Sequence, residues 1–417
     1  MSAVKAATKR TFQALTVRNF RLYFIGQIIS LSGTWMQSVA QGWLILKLTN
    51  SGFDLGLAIA LQFVPLLIGG TWGGLFVDRM AKRSILFATQ TVAGILALVL
   101  GTLVAIGHIH VWEVFLMSFL LGMVNIFDNP ARQTFVQEMV GRDLLANAVS
   151  LNSVLVNSGR IIGPAFAGIL IATVGLPICF FANALSFGAV IVALLLMDKS
   201  ELTPIKTVKR AKGQLREGFR YAFHDWTISS VLLAVAIVGI FAFNFTVSIP
   251  LLAKITFGGT AATYGLFMAA MGAGAVVGGL FVAHRQRPSV RFLAVLCVAF
   301  GVIMLGLAGS PNEIVALIFL VLMGATSIAF ISTSNATLQM ASREEMRGRV
   351  MSLFTIGFLG STPIGAPLIG AISGAATPRI GILVGAIATI LAAIPLFLAV
   401  RRYGSEASSI PNLRPAV

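Results

Sequence analysis

A single arginine, Arg160, stands in the middle of the apolar run 144–173, with Asn157 and Ser153 on the turns before it, so the three form one polar stripe on a helix. A guanidinium at mid-bilayer costs about 2.5 to 3.5 kcal/mol on insertion scales. It therefore requires a partner: an anionic substrate, a cluster of backbone carbonyls, or a carboxylate that packing brings near. In the run 20–46, Gln27, Ser30, Thr34, Gln37 and Gln41 recur at intervals of three and four and share a second polar face. Polar groups aimed at lipid are costly, so this face meets either a water-filled cavity or neighbouring helices through hydrogen bonds. In the run 227–250, Asn244 and Ser248 lie one turn apart among Phe241, Phe243 and Phe245. A cavity of this kind, apolar and aromatic with a few amides, suits amphipathic molecules better than sugars or small ions. The expected lining is Gln27, Thr34, Gln37, Gln41, Asn157, Arg160 and Asn244, with Trp35 and Trp43 available for stacking.

Coupling to protons requires a carboxylate whose proton affinity follows conformation. The candidates are Asp54 and Asp128, near the ends of the second and fourth apolar runs, although Asp54 also suits a helix start, where the dipole favours an acid. The four histidines, His108, His110, His224 and His284, have no ligand or acid–base spacing inside a run, and no Gly-rich loop followed by GK[ST] is present. Enzymatic catalysis, ATP-driven work, a metal site and a bound cofactor are not expected. Cys179 and Cys297 both fall inside apolar runs, which argues against a disulfide framework.

The elements that position these groups follow from composition. The chain of 417 residues is 57% hydrophobic and 11% charged, against about 25% charged in soluble proteins. Twelve apolar runs, at 20–46, 52–77, 84–106, 112–131, 144–173, 177–197, 227–250, 261–282, 291–309, 313–334, 349–375 and 380–400, are long enough to cross a bilayer as helices. The first is too long for a signal-peptide core and lacks a following small-residue cleavage site. With both termini cytoplasmic, 26 of the 30 Lys and Arg residues face inward, Lys47, Lys254 and Arg379 face outward, and Arg160 is buried. The basic residues therefore report topology in the cytoplasmic membrane rather than nucleic-acid binding. The expected fold is an all-α membrane protein of two six-helix bundles, 1–197 and 226–402, joined by a basic linker, 198–225, and followed by a cytoplasmic tail, 403–417. Within the linker, Leu215, Phe219, Phe223 and Trp226 share a face, as in an interfacial amphipathic helix.

Three words repeat in order: GGLFV at 73 and 278, EM-x-GR at 138 and 345, and IIG or LIG ending at Gly163 and Gly370. The separations are 205, 207 and 207 residues, so the halves read as parallel repeats.

These features resemble the major facilitator superfamily. GLFVDRMAKR, from Gly74 to Arg83, resembles its loop signature between the second and third spans, matching in kind at Gly74, Asp78, Arg79, Lys82 and Arg83. Phe76 and Ala81 depart from the usual leucine and glycine. GRIIGPAFAG resembles the superfamily's antiporter motif at Gly159, Gly163, Pro164 and Gly168, with Ala167 in place of a glycine. Residues 128–153 resemble the branch that holds enterobactin-type siderophore and macrolide exporters, with lysophospholipid transporters as relatives. The resemblance implies a monomeric secondary exporter of drug-like or siderophore-like molecules, working by alternating access with proton antiport. It also implies a cytoplasmic gate in which Asp78 faces the start of the eleventh span near Arg347 and Arg349. Many drug antiporters carry an arginine in mid-span four; VFLMSFLLGMVNIFDN has none, so that role is not carried over. A lysophospholipid transporter on the same fold and a non-transporting receptor are the alternatives.

Overall fold

The computed structural model describes residues 12–203, 214–285 and 288–403. The basic stretch 204–213 of the linker, the first eleven residues and almost all of the expected tail lie outside the described residues. With no water in hydrocarbon to satisfy N–H and C=O groups, apolar runs of this length close their hydrogen bonds internally as helices. The first six long helices are α1 (Arg18–Thr49), α2 (Gly52–Arg79), α3 (Lys82–Ala105), α4 (Val111–Val140), α5 (Leu145–Thr173) and α6 (Pro177–Leu196). The linker contributes α7 (Gln214–His224). There follow α8 (Trp226–Phe241) and α9 (Phe245–Leu251), the latter running into a π-helical turn, Leu252–Thr256. The remainder are α10 (Ala261–Arg285), α11 (Val290–Ala308), α12 (Glu313–Ala341), α13 (Glu344–Leu359), α14 (Thr362–Ala375) and α15 (Pro378–Tyr403).

Among the described residues, eleven segments are long and apolar enough to cross a membrane. The twelfth helix, α1, has the length at 32 residues, and its stripe of amides and hydroxyls is what lowers its hydropathy. Two of the expected runs are broken. The run 227–250 is interrupted between α8 and α9, and 349–375 between α13 and α14, at Gly360 and Ser361. Conversely, α4 extends nine residues past the expected end at 131, passing through Pro130 without a break. Arg132, one residue past the expected end of the run, therefore lies on the helix.

The chain forms two compact units, Met1–Leu48 with Val64–Lys209, and Thr49–Phe63 with Arg210–Val417. The N-terminal end of α2 belongs to the second: a Cβ on Gly52 would lie 2.6 Å from the carbonyl oxygen of Gly370 in α14. In the first unit, α3 packs along α6, and a core around Phe20, Tyr23, Val77, Ile85, Phe135 and Leu194 fills the end at which α1 begins. In the second, α10 packs along α12, and α15 lies against α8 and α11. The repeated GGLFV word has the same task in both units. Gly73 meets Ile126 of α4, and Gly278 meets the backbone of Ala325 in α12, so the second helix of each half closes on the fourth where a side chain would not fit.

The linker helix α7 presents three sectors. Gly218 and Ala222 face protein, Arg220 and His224 are exposed, and Phe219 and Phe223 stack at 6.1 Å while 45% and 72% exposed. Asp225 ends it by capping α8, accepting from the N–H groups of Thr227 and Ile228, so Trp226 belongs to the next helix.

Candidate functional site

The first unit holds a buried ion pair. Asp128 and Arg132 are one turn apart on α4, and Asp128 Oδ2 accepts from Arg132 Nε at 3.1 Å and Nη2 at 2.7 Å. The other carboxylate oxygen accepts from Thr89 Oγ1 at 2.7 Å and Gln90 Nε2 at 2.8 Å, both on α3. Arg132 Nη1 donates in turn to Gln27 Oε1 on α1. Three buried polar atoms around this cluster have no hydrogen-bond partner: the Tyr23 hydroxyl, Gln27 Nε2 and Gln90 Oε1. The pair is thus charge-assisted, with two guanidinium N–H groups on one carboxylate oxygen, and with spare polar capacity beside it. Arg132, Thr89 and Gln90 were absent from the expected site; the spacing of four between Asp128 and Arg132 was the available signal.

The amide face of α1 is engaged with its neighbours. Gln37 Oε1 accepts from Asn183 Nδ2 of α6 at 2.7 Å, and Gln41 Nε2 donates to Ser118 Oγ of α4 at 2.7 Å. Thr34 Oγ1 donates to the carbonyl of Ser30 on its own helix. With Gln27 held by Arg132, the three glutamines of the stripe bond neighbouring helices within the first unit.

Arg160 sits at the midpoint of α5 with its guanidinium over the ring of Trp35 on α1, 5.1 Å from the centroid. Its Nε is shielded from solvent and has no hydrogen-bond partner. A cation–π contact is worth about 0.5 to 2 kcal/mol, which offsets only part of the insertion cost of about 2.5 to 3.5 kcal/mol. Asn157, on the same stripe, donates back to the carbonyl of Ser153 at 2.8 Å. The GRIIGPAFAG segment explains the approach of α1. A Cβ on Gly163 would come within 2.6 Å of Ser32 O and Trp35 Cβ, while one on Gly159 would rest 3.4 Å from Trp35 Cδ1. Pro164 and Gly168 are buried in the same uninterrupted helix.

In the second unit, the break between α8 and α9 places Asn244 at a discontinuity, where it is 2% exposed. Its Nδ2 donates to the carbonyl of Ile240 at 2.7 Å, and its Oδ1 has no partner. Phe243 lies 5.1 Å from Phe245, 5.7 Å from Phe300 and 5.0 Å from Phe358. A cavity of about 300 Å³ is lined by Phe358 with Ile331, Ser332, Asn335 and Phe354.

Four of the expected gate residues, Lys82, Arg83, Arg347 and Arg349, bond within their own units. Lys82 Nζ reaches Glu138 at 3.8 Å and the carbonyl of Asp78 at 3.3 Å, and Arg83 Nε donates to the carbonyl of Leu194. Arg349 pairs with Glu217 of α7 at 2.6 Å, and Arg347 Nε donates to the carbonyl of Gln339. The Asp78 carboxylate has no ion pair among the described residues, and Gly74 and Arg79 flank it on α2. Asp54 lies in the first turn of α2, where its N–H donates to Ser51 Oγ. Among the described residues no group of His, Cys, Asp or Glu is arranged to hold a metal ion.

Comparison with known proteins bears on this arrangement as a whole. The staphyloferrin A transporter of Staphylococcus aureus (strain NCTC 8325 / PS 47) is 24% identical over 360 residues, covering 84% of this chain and 88% of that protein. The enterobactin exporter EntS of Shigella flexneri is 27% identical over 372 residues, 86% of each. Among solved structures, a bacterial homologue of the human lysosomal transporter Spinster, inward-facing and unoccupied, superposes with a TM-score of 0.75 at 15% identity, covering 95% of this chain and 98% of that one. The nucleoside transporter NupG gives 0.75 at 10% identity, covering 92% and 99%. These relatives are transporters rather than enzymes. A family model described as transmembrane secretion effector matches residues 9–415, and the chain belongs to that family, a multi-pass membrane branch of the major facilitator superfamily.

Proposed function

We propose that the protein is a proton-coupled exporter that moves an amphipathic small molecule, siderophore-like or drug-like, out across the cytoplasmic membrane by alternating access. The observation that carries the coupling is the Asp128–Arg132 pair, in which the carboxylate is tied to α3 through Thr89 and Gln90 and the guanidinium to α1 through Gln27. Protonation of Asp128 releases Arg132, and a shift of α1 against α3 and α4 then costs less; deprotonation draws them together again. This is the kind of two-state element that a proton gradient biases. Asp54, at its helix start, serves the dipole of α2 in this reading.

The direction of transport is supported by the relatives that are exporters and by the antiporter-like segment from Gly159 to Gly168. The termini face the cytoplasm, the protein works as a monomer, and Asp78 with Arg79, Lys82 and Arg83 forms the charged part of the cytoplasmic gate. The test is flux from proteoliposomes under an imposed pH gradient, across a panel of siderophores, macrolides and lysophospholipids. Siderophore or macrolide flux should rise with the gradient and lose that dependence in Asp128→Asn. Lysophospholipid movement with no dependence on pH would sink the antiport reading.

A further inference from the structure

We propose that Arg160, laid over Trp35, is a binding site for an oxyanion of the cargo, in the simplest case a carboxylate; the assignment rests on the export reading above. The charges of the first unit's helices lead to it. Asp128 is balanced by Arg132, and Glu138 is paired with Lys82, which leaves Arg160 as the cation at the middle of a spanning helix with no carboxylate against it among the described residues. Among the described residues its guanidinium has no hydrogen-bond partner, and Nε is already withdrawn from solvent, so the ring of Trp35 is the contact that offsets its burial. A planar guanidinium held over an indole keeps its fork of donors available at the edge, the geometry that takes a carboxylate through two parallel hydrogen bonds.

The platform is fixed from behind. Gly163 admits Trp35 Cβ and Gly159 admits Trp35 Cδ1 at close range, so the small residues of the antiporter-like segment set the ring on which the cation rests. In this view that segment does more than pack helices: it holds an anion receptor at mid-bilayer. The bound group is the anionic end of the amphipathic cargo proposed above.

The experiment compares dansylglycine with its primary amide, titrated by dansyl fluorescence against the purified protein in phosphatidylcholine nanodiscs. The acid should bind at least tenfold more tightly than the amide. Arg160→Gln should erase that preference while leaving amide affinity within about twofold, and Arg160→Lys should keep a reduced preference, because an ammonium is a point charge without the fork. Equal affinity for acid and amide, no measurable binding of either, or a preference that survives in Arg160→Gln overturns the assignment. Should Arg160→Gln not fold, the wild-type comparison and Arg160→Lys still decide. Gradient-driven flux of the amide in the same lipid reads the export proposal separately. Flux without acid preference removes the anion site alone, and acid preference without flux removes the export reading alone.

Discussion

Asp128 and Arg132 pay for their burial by solving each other's desolvation: the guanidinium meets one carboxylate oxygen twice while Thr89 and Gln90 satisfy the other. Removing one member of such a pair leaves an uncompensated charge, at about 3 to 5 kcal/mol, whereas removing both can be close to neutral. Asp128→Asn and Arg132→Gln should therefore each lower unfolding stability by amounts of that order, and the double substitution should cost clearly less than their sum. A double-mutant cycle by denaturant titration in mild detergent checks this; additive losses would mean that the two residues act separately. The sequence displayed Asp128 readily, because an acid among apolar residues stands out. Its partner was hidden because the fourth apolar run was expected to end at 131, one residue before Arg132. The partner of Arg160 was hidden for a different reason: Trp35 is 125 positions away in the chain, and a ring that could stack on cargo is indistinguishable, by type alone, from one that carries a cation.

Helix by helix, the apolar runs were legible because the bilayer imposes a length and an absence of charge. Their breaks were not: the interruption at Ala242–Asn244 has no proline or glycine within it, and only the packing of Phe243 against Phe300 and Phe358 shows what replaces continuity. The contact of α5 with α1 gives the sharpest test at this scale. A Cβ on Gly163 would meet Ser32 O and Trp35 Cβ at 2.6 Å and the Met36 nitrogen at 2.9 Å, and backbone atoms of a packed helix cannot easily give way. One on Gly159 would find Leu31 Cβ at 3.3 Å and Trp35 Cδ1 at 3.4 Å, contacts that a small adjustment relieves. Gly163→Ala should then destabilise the protein by about 1 to 3 kcal/mol, as overpacking does, while Gly159→Ala should stay within about 0.5 kcal/mol of wild type. Equal effects in the same denaturant titration would show that the two glycines are interchangeable spacers.

At the scale of the whole chain, the repeat was visible as three words, and its physical content is the shared closure of each half's second helix on its fourth, through Gly73 and Gly278. What the repeat does not share is charge: Asp78 and Arg79 in the first half stand where the second has Ala283 and His284. The sequence could mark that asymmetry but not its consequence, since a gate is a difference between two conformations and a sequence describes neither. The first unit gives the aspartate a distinctive status. Its neighbours Lys82 and Arg83 are occupied by Glu138 and by the carbonyl of Leu194, whereas its own carboxylate has no ion pair among the described residues. A carboxylate with no ion pair among the described residues contributes little to folding, so Asp78→Asn should leave stability within about 0.5 kcal/mol of wild type. If the carboxylate is the charged element of the cytoplasmic gate, the substitution lowers gradient-driven flux several-fold while equilibrium binding of cargo stays unchanged, because the gate acts on the transition between states and not on the site. Parallel measurement of flux in proteoliposomes and of binding in nanodiscs separates the two quantities. Unchanged flux would remove Asp78 from the transport cycle and leave its loop as a topological anchor; a matched fall in binding would place it at the cargo site instead.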